Sequence, residues 1–393
     1  MAHLTVHGAK VLLVVKGSYP LSSETAYSSL REAVLSQLQS AIPFPDCGPE
    51  ASKIQSLMTN EIEPVLVSVV IPAFRCAQYI VQGIESVLNQ SFTNHEILVV
   101  NDGSPDTAEL EAALAPYAGR IRYFKQSTRG PSGARNTGIR NAFGKYVAFL
   151  DGDDYWTPDH LTKNIGILER DRGVALVYCD CILVKNDQPY SRVFYNQDQP
   201  STVTFETLLL QSSTISTSSV VVLREAILAA GGFDESLYRC EDFDMWLRLA
   251  FSGAEISYHP DAEVYHRVHD VSLSADGLAM IRDRVRVYEK AATLTPSAEQ
   301  REIIRRMITK SQSDGYVEQL KEALDRGDYS EAREAAHRAL SVESTWKIRL
   351  AMMGLRVSPR LFAAFHRVRV LLLQKRTGSR STLLNAEETV RQI

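Results

Sequence analysis

The sequence is poor in cysteine and has no long hydrophobic run. Its five cysteines are odd in number and lack the C-x-x-C spacing of a zinc site or a redox centre, so we interpret them as free thiols. An apolar run at 11–15 is flanked by Lys10 and Lys16 and is far too short for a signal-peptide core or a membrane span. The sequence therefore predicts a protein that stays in the cytoplasm.

No charge of one sign dominates, and no phosphate-binding loop is present. The formal net charge is -4 at pH 7, which gives no reason to expect binding to nucleic acid. Apolar residues make up 45% and charged residues 23%, as in ordinary globular proteins. Neither a G-x-G-x-x-G nor a Walker pattern occurs, which argues against a nucleotidyltransferase.

A domain of alternating strands and helices is predicted at 64–275. Apolar runs at 65–71, 96–100 and 145–150 are separated by stretches of helical character. Strands joined through helices form right-handed parallel crossovers in a doubly wound sheet. We therefore predict an α/β fold whose ligands bind beyond the carboxyl ends of the strands.

Two regions flank this domain. Residues 1–63 form a small N-terminal extension in which we recognise no catalytic or binding motif. Residues 276–393 are helical in character, with breaks at 293–297 and at Gly327 and Asp328. The sequence thus predicts three parts: 1–63, the α/β domain 64–275, and a helical region 276–393.

An acidic cluster follows the third apolar run. Asp151, Asp153 and Asp154 surround Gly152 within four residues. Like charges this close repel and raise pKa values unless a divalent cation neutralises them, and oxygen ligands suit Mg²⁺ or Mn²⁺. A solvated acidic turn is the alternative interpretation.

Five segments, taken in order, resemble the inverting family-2 glycosyltransferases of the GT-A fold. They are VVIPAF at 69–74, VVNDGS at 99–104, GARNTGI at 133–139, FLDGDD at 149–154 and CEDFDMW at 240–246. The resemblance covers the 64–275 domain and implies a Rossmann-like mixed sheet flanked by helices. It also implies an enzyme that moves a sugar from a nucleoside diphosphate sugar to a saccharide, lipid-linked or protein acceptor.

The resemblance implies a donor site at the strand ends. Pro72 and Phe74 would form an apolar platform for a pyrimidine, and Asp102 would accept a hydrogen bond from uracil or thymine N3–H. Arg135, in a glycine-rich loop that opens a helix, would hold a base edge or the diphosphate. The alternatives are strand-ending turns for the first three residues and a surface salt bridge for Arg135.

The resemblance also assigns the acidic cluster. Asp153 would bind Mg²⁺ or Mn²⁺, Asp151 would be shared between ribose and metal with Gly152 beside the donor, and Asp154 would support them from behind. His269 would complete the metal shell or donate to a phosphate oxygen, although a structural role is the alternative. The cation would neutralise the departing nucleoside diphosphate.

Inversion requires a base on the face opposite the diphosphate. Asp242 lies at the start of a predicted helix and is the proposed general base, while Glu241 suits acceptor binding or orientation. Alternatively, Asp242 is a cap or dipole partner of the helix.

A non-catalytic sugar-nucleotide-binding or scaffold protein is the main alternative function. The intact acidic cluster and the Glu241–Asp242 pair argue against it. A processive membrane polymerase is not favoured either, since no Gln-x-x-Arg-Trp segment is present. We therefore expect transfer of a single sugar in the synthesis of cell-surface polysaccharide or glycoconjugate.

The C-terminal end is basic. Nine Lys or Arg residues and no Asp or Glu lie at 346–380. Apolar residues at helical spacing accompany them: Leu361, Phe362, Phe365, Val368 and Leu372. Such a basic amphipathic helix would either lie on an anionic inner membrane leaflet or pack its apolar stripe on the catalytic domain, and the sequence favours neither.

Overall fold

The computed structural model describes residues 2–7, 10–15, 65–193, 202–211, 214–269 and 276–365. The chain divides into two units, Met1–Glu63 and Pro64–Ile393. In the first unit, strands β1 (Ala2–His7) and β2 (Lys10–Val15) pair in antiparallel fashion. The second unit contains a ten-stranded sheet with helices on both faces.

One half of the large sheet is parallel. Its strands are β3 (Val67–Ala73), β4 (His95–Asn101), β5 (Arg122–Lys125) and β6 (Tyr146–Phe149), in the order β6-β3-β4-β5. The connecting helices are α1 (Ile80–Leu88), α2 (Thr107–Leu114) and α3 (Gly130–Asn141). The predicted parallel strands joined through helices are therefore confirmed.

The other half of the sheet is mixed. Its elements are β7 (Tyr155–Trp156), α4 (His160–Arg170), β8 (Val174–Lys185), β9 (Gln188–Arg192), β10 (Thr202–Val203), α5 (Phe205–Leu209), β11 (Val221–Leu223), α6 (Arg224–Ala229), α7 (Glu241–Phe251) and β12 (Glu255–Arg267). Strand β11 lies antiparallel between β6 and β8, whereas β12 runs parallel to β8. The sheet is therefore mixed, as predicted.

Helices follow the sheet, among them α8 (Gly277–Ala292), α9 (Ala298–Arg326), α10 (Tyr329–Val342) and α11 (Trp346–Val357), and residues 359–365 are helical too. Both predicted breaks are confirmed. Ser297 caps α9 because its hydroxyl accepts the Gln300 N–H, and Gly327 ends that helix with a φ of 79°. None of the described helices is long and apolar enough to cross a membrane.

The sheet is buried on both faces, which explains the uninterrupted apolar runs of its strands. Successive side chains of a strand point to opposite faces, so Val69 belongs to the core that includes residues of α1, α2 and α4, while Val70 belongs to the core that includes residues of α3, α7 and α8. The core that contains Val70 also contains Tyr288 from α8 and Met307 from α9. The boundary expected at 275 therefore runs through a shared core.

Candidate active site

The carboxyl ends of β3, β4 and β6 meet at one edge of the sheet, and the acidic turn after β6 approaches β3 closely there. A Cβ atom on Gly152 would lie 2.9 Å from the Pro72 carbonyl oxygen and 2.7 Å from the Cys76 sulfur. Only glycine fits this position without displacement of its neighbours. Phe74, the first residue after β3, is 40% exposed. Pro72 and Gly152 are therefore brought together, and Phe74 follows at the same end of β3.

Asp102 is buried where β4 ends. Its Oδ1 accepts hydrogen bonds from Gln126 Nε2 at 2.7 Å and from the Arg129 backbone N–H at 2.9 Å. The following Gly103 has a φ of 66°, and a Cβ there would lie 2.6 Å from the Thr128 hydroxyl. Asp102 thus joins the end of β4 to the beginning of α3.

Arg135 lies at the centre of the site. Because α3 begins at Gly130, Arg135 is in its second turn and not in an opening loop, as the sequence had suggested. The buried guanidinium donates to Asp151 at 2.7 Å and to Glu241 at 2.6 Å. Although burial opposes the charged form, these two carboxylates raise the pKa of Arg135. Its two partners are buried or half-buried, so Arg135 does not form the surface salt bridge that was the alternative interpretation.

Asp154 is fully buried behind the acidic turn. Its Oδ2 accepts from the Ser218 hydroxyl at 2.6 Å and pairs with His266 Nδ1 at 2.9 Å, while its Oδ1 accepts from the Arg267 backbone N–H at 2.9 Å. The Asp154 carboxylate raises the pKa of His266 to about 9. Asp154 therefore anchors the turn to two distant segments of the chain.

Asp153 faces His269, whose Nε2 lies 3.3 Å from Asp153 Oδ2. Burial raises the pKa of Asp153 to about 7, and the neighbouring Asp154 and Asp151 add to this effect. The centre of the His269 ring lies 5.0 Å from that of Tyr79, with the two rings tilted by 31°, and the buried Nε2 of His269 makes no hydrogen bond to any described residue. An imidazole nitrogen without a partner beside a carboxylate with excess negative charge around it fits a divalent cation.

The predicted three-ligand set of Asp151, Asp153 and His269 is not assembled. The carboxylate of Asp151 is bonded to Arg135, and within the described part of the chain no three His, Cys, Asp or Glu side chains converge on one point. Asp153 and His269 are thus the two candidate ligands that lie together. So few protein ligands would suit Mg²⁺, which usually keeps several waters and substrate phosphates in its shell.

Glu241 and Asp242 occupy the first turn of α7. The preceding Cys240 adopts a left-handed conformation with a φ of 57°, and its carbonyl accepts the first helical N–H, from Asp244 at 3.0 Å. Asp242 Oδ2 accepts from the Thr217 hydroxyl at 3.1 Å, and Oδ1 accepts from the Phe243 N–H at 2.7 Å. Burial raises the pKa of Asp242, which Arg135 opposes, and burial likewise raises the pKa of Glu241 to about 7.

Sequence reasoning missed the turn Thr217–Ser219. Ser218 contacts the acidic cluster through Asp154 and through the Asp151 backbone N–H at 3.1 Å, and the adjacent Thr217 binds Asp242. This turn therefore connects the two acidic motifs. A polar stretch directly before a buried strand was its only signal in the sequence.

Arg267 was also missed. Its guanidinium lies 4.8 Å from the ring centres of both Tyr79 and Tyr155, and it donates to the Asp153 carbonyl oxygen. Its place two residues before the candidate His269 was the available signal. Arg267 thus holds the backbone of the acidic turn from the side of β12.

Known sequences resemble this chain over the sheet domain. Residues 68–228 match the family Glycosyl transferase family 2. An uncharacterized glycosyltransferase of Rickettsia typhi is 31% identical over 222 residues, which are 56% of this chain and 69% of the relative. The UDP-Glc:alpha-D-GlcNAc-diphosphoundecaprenol beta-1,3-glucosyltransferase WfaP of Escherichia coli is 30% identical, over 54% of this chain and 80% of the relative. Chondroitin synthase of Escherichia coli is 29% identical, over 59% of this chain but 32% of its own length.

Solved structures resemble the fold. Residues 1–349 of S. aureus TarS in complex with UDP-GlcNAc align with a TM-score of 0.54 at 18% identity, over 83% of this chain and 92% of that one. The mannosyltransferase PcManGT from Pyrobaculum calidifontis, in complex with GDP-Man and Mn²⁺, aligns with a TM-score of 0.51 at 17% identity, over 85% and 93%. The predicted GT-A type of fold is thereby confirmed.

Proposed function

Because the chain belongs to glycosyltransferase family 2, we propose that it moves one sugar from a UDP-sugar to an acceptor hydroxyl with inversion at the anomeric carbon. Two similarities support UDP as the nucleotide: WfaP is named for UDP-Glc, and the TarS structure holds UDP-GlcNAc. The names of WfaP and chondroitin synthase favour a role in the synthesis of cell-surface polysaccharide or glycoconjugate.

The donor would lie across the strand ends. The exposed ring of Phe74, together with Pro72, would support the pyrimidine. Asp102 would accept the base N3–H through Oδ2, since its Oδ1 is already bonded within the protein. Asp151 and Gly152 would lie beneath the ribose. Arg135 would act on this site through Asp151, whose carboxylate it fixes.

Asp153 and His269 would hold Mg²⁺ or Mn²⁺. Such a cation supplies positive charge to the diphosphate as it leaves. Asp154 keeps the turn in place from behind, because it is bonded to Ser218, His266 and Arg267 and has no exposed surface. The chain itself would thus fix where the diphosphate binds and how the anomeric carbon is presented.

Asp242 would take the proton from the acceptor hydroxyl as that oxygen attacks the anomeric carbon. The observation that carries the proposal is its position at the amino end of α7, where Thr217 fixes the carboxylate and burial raises its pKa. A raised pKa brings a carboxylate closer to the value at which it accepts a proton efficiently near neutral pH. Glu241 is bonded to Arg135, so it orients the site and does not compete for the proton.

Replacement of the base tests this proposal. Asp242→Asn should lower turnover by about 10²–10⁴-fold, because the substitution removes the proton acceptor and keeps the shape of the side chain. The affinity for the donor should barely change. The measurement is UDP release from a panel of UDP-sugars with saccharide acceptors, together with thermal shifts on addition of UDP.

Glu241→Gln is the matched control at the neighbouring position. It should weaken the hold on Arg135 and lower the melting temperature, with a smaller effect on the chemical step than Asp242→Asn. Near-normal transfer by Asp242→Asn with excess acceptor would exclude Asp242 as the base. Binding of UDP without turnover of any donor, even in the unmodified chain, would favour a non-catalytic binding protein.

A further inference from the structure

Helix α11 has two apolar faces, and only one of them is packed. Ile348, Ala351, Met352 and Leu355 are buried, three of them in the cluster formed with α9 and α10. The second face is exposed, with 70% exposure at Trp346, 50% at Leu350, 59% at Met353 and 81% at Val357. At 3.6 residues per turn, these four side chains fall within roughly 60° of arc, opposite the packed face.

The segment that follows extends the same kind of surface. In 359–365, Phe362 packs on the cluster and against Gly354, whereas Leu361 and Phe365 are exposed by 72% and 68%. Six of the twelve exposed large apolar side chains in the described part of the chain thus lie within 346–365. Proteins tolerate scattered exposed apolar residues, but a concentrated patch marks a binding surface.

Cations flank the apolar stripe. Lys347 projects on one side of it and Arg349 and Arg356 on the other, Arg360 follows, and all four are exposed. No Asp or Glu occurs in 346–365. Long cationic side chains beside an exposed apolar stripe allow the stripe to enter an apolar layer while their charged ends stay among polar groups.

We propose that this face, formed by 346–365, binds the surface of an anionic lipid bilayer, with α11 lying in the plane of the headgroups. Its 12 residues are too few to span a bilayer, so the helix would lie on it. A second copy of the chain is a poor partner for this face, because it would bring identical cationic flanks together. Residues 366–380 are a poor partner as well, because they carry five further Lys or Arg and no acidic residue that could pair with these cations. Anionic lipids supply both negative charge and an apolar layer.

Intrinsic fluorescence of the full chain tests the proposal directly. Of the three tryptophans, Trp156 and Trp246 are buried, so an aqueous neutral quencher such as acrylamide reports chiefly on Trp346. Vesicles of phosphatidylcholine with phosphatidylglycerol should shift the emission to shorter wavelength and shield Trp346 from acrylamide. Vesicles of phosphatidylcholine alone should do neither, and high salt should weaken binding to the anionic vesicles.

Variants separate the apolar stripe from its charges. Leu350→Glu combined with Met353→Glu should lower the vesicle partition coefficient at least about 10-fold, because the pair removes apolar area and adds repulsion. Lys347→Gln combined with Arg356→Gln should lower it roughly 30-fold. Leu228→Glu, at an exposed leucine of α6, is the matched control and should leave binding unchanged. Hydrolysis of a soluble donor should be normal in all three variants.

Four results would overturn the proposal. One is shielding of Trp346 from acrylamide without vesicles, which would mean that another part of the chain covers it. Shielding that rises with protein concentration would identify a second copy as the partner. Equal binding to neutral vesicles, or unchanged binding of the double glutamate variant, would also exclude this surface. Trp346→Phe should abolish the spectral response and leave flotation with vesicles intact, which verifies the reporter.

Discussion

A single guanidinium balances several carboxylates at the centre of the site. Arg135 is bonded to Asp151 and Glu241, and Asp242 lies in the adjacent position of α7. Removal of one member of a buried ion pair is costly, because the remaining charge keeps its burial and loses its partner. This balance explains why Arg135 is held inside the protein although arginines usually lie at surfaces.

The charge of the acidic turn leads to a prediction about metal dependence. Asp151, Asp153 and Asp154 crowd negative charge at this turn, and the raised pKa of Asp153 reflects its burial and the charge of its neighbours. A diphosphate should therefore be repelled there unless a cation is present. UDP should therefore raise the melting temperature only with Mg²⁺ or Mn²⁺, by several degrees at about 100 times its Kd. Asp153→Asn and His269→Ala should each remove most of this metal-dependent shift.

The control for this experiment is His337→Ala, at an exposed histidine of α10, which should respond to UDP and Mn²⁺ as the unmodified chain does. Equal stabilisation by UDP in EDTA would contradict a metal at Asp153 and His269. A loss of the shift in the Asp153 variant alone would mean that His269 contributes packing on Tyr79 and not a ligand.

For single residues, the sequence predicts where on the sheet a site residue lies better than it predicts which side chains that residue contacts. Pro72, Asp102 and the acidic cluster could be selected because each follows a recognisable apolar strand, and parallel strands end at one edge. The partners of Arg135 lie 16 and 106 residues away along the chain, so no local pattern indicates them. Thr217 carries no charge and forms no motif, and only the fold brings it to Asp242.

Among the elements, α7 and α8 are joined by a polar contact close to Asp242, the proposed base. Lys290 of α8 lies 2.6 Å from Asp234 and 2.9 Å from Asp244 in the first turn of α7. Asp244 also pairs with Arg248 one turn later, at 2.7 Å. These contacts fix the amino end of the helix that carries Asp242.

The Asp234 contact predicts a dependence of stability on pH. Partial burial opposes ionisation, yet Lys290 and Ser236 lower the pKa of Asp234 to about 2. A carboxyl whose pKa is depressed on folding stabilises the protein above its unfolded value near 4, and this stabilisation is lost as the pH falls toward about 2. Because solvent screens this partly exposed pair, Asp234→Asn should lower the free energy of unfolding by about 1 kcal/mol at pH 7, and the difference should vanish in acid.

Urea unfolding from neutral to acid pH measures this effect. Asp325→Asn, at an exposed aspartate of α9, is the control and should follow the unmodified chain throughout. A difference between Asp234→Asn and the unmodified chain that stays constant with pH would mean that Asp234 contributes through shape or neutral hydrogen bonding and not through its charge.

Elements were predictable where their patterns are regular. The apolar runs of β3, β4 and β6 and the start of a helix at α7 gave correct assignments, and Trp246 and Leu247 of α7 are buried in the core. Strand β12 was not foreseen, although it has 13 residues. Its sequence contains Pro260 and adjacent charged residues, and its pairing with β8 shifts register between His259 and Val264, so it shows no clean alternation.

At the scale of the molecule, α8 belongs to the catalytic core. Tyr288 packs edge-on against Phe243 of α7 at 5.6 Å, and its hydroxyl donates to the Leu209 carbonyl oxygen at 3.1 Å. Val287 and Ala291 are buried in the same cluster as Trp246. The sequence suggested a boundary at 275 because the family motifs end there, but motif spacing does not report which helices complete a core.

The last prediction follows from this shared core. A chain that ends at 275 loses Val287, Tyr288 and Ala291, and burial of a large apolar side chain contributes about 1.5–3 kcal/mol. Since whole proteins are stable by only about 5–15 kcal/mol, residues 1–275 should fail to unfold cooperatively and should gain no stability from UDP with Mn²⁺. Residues 1–344 keep α8, α9 and α10. They should unfold cooperatively and gain stability from UDP with Mn²⁺, as measured by calorimetry. A cooperative transition of residues 1–275 that shifts with UDP would instead make 276–393 a separate appendage.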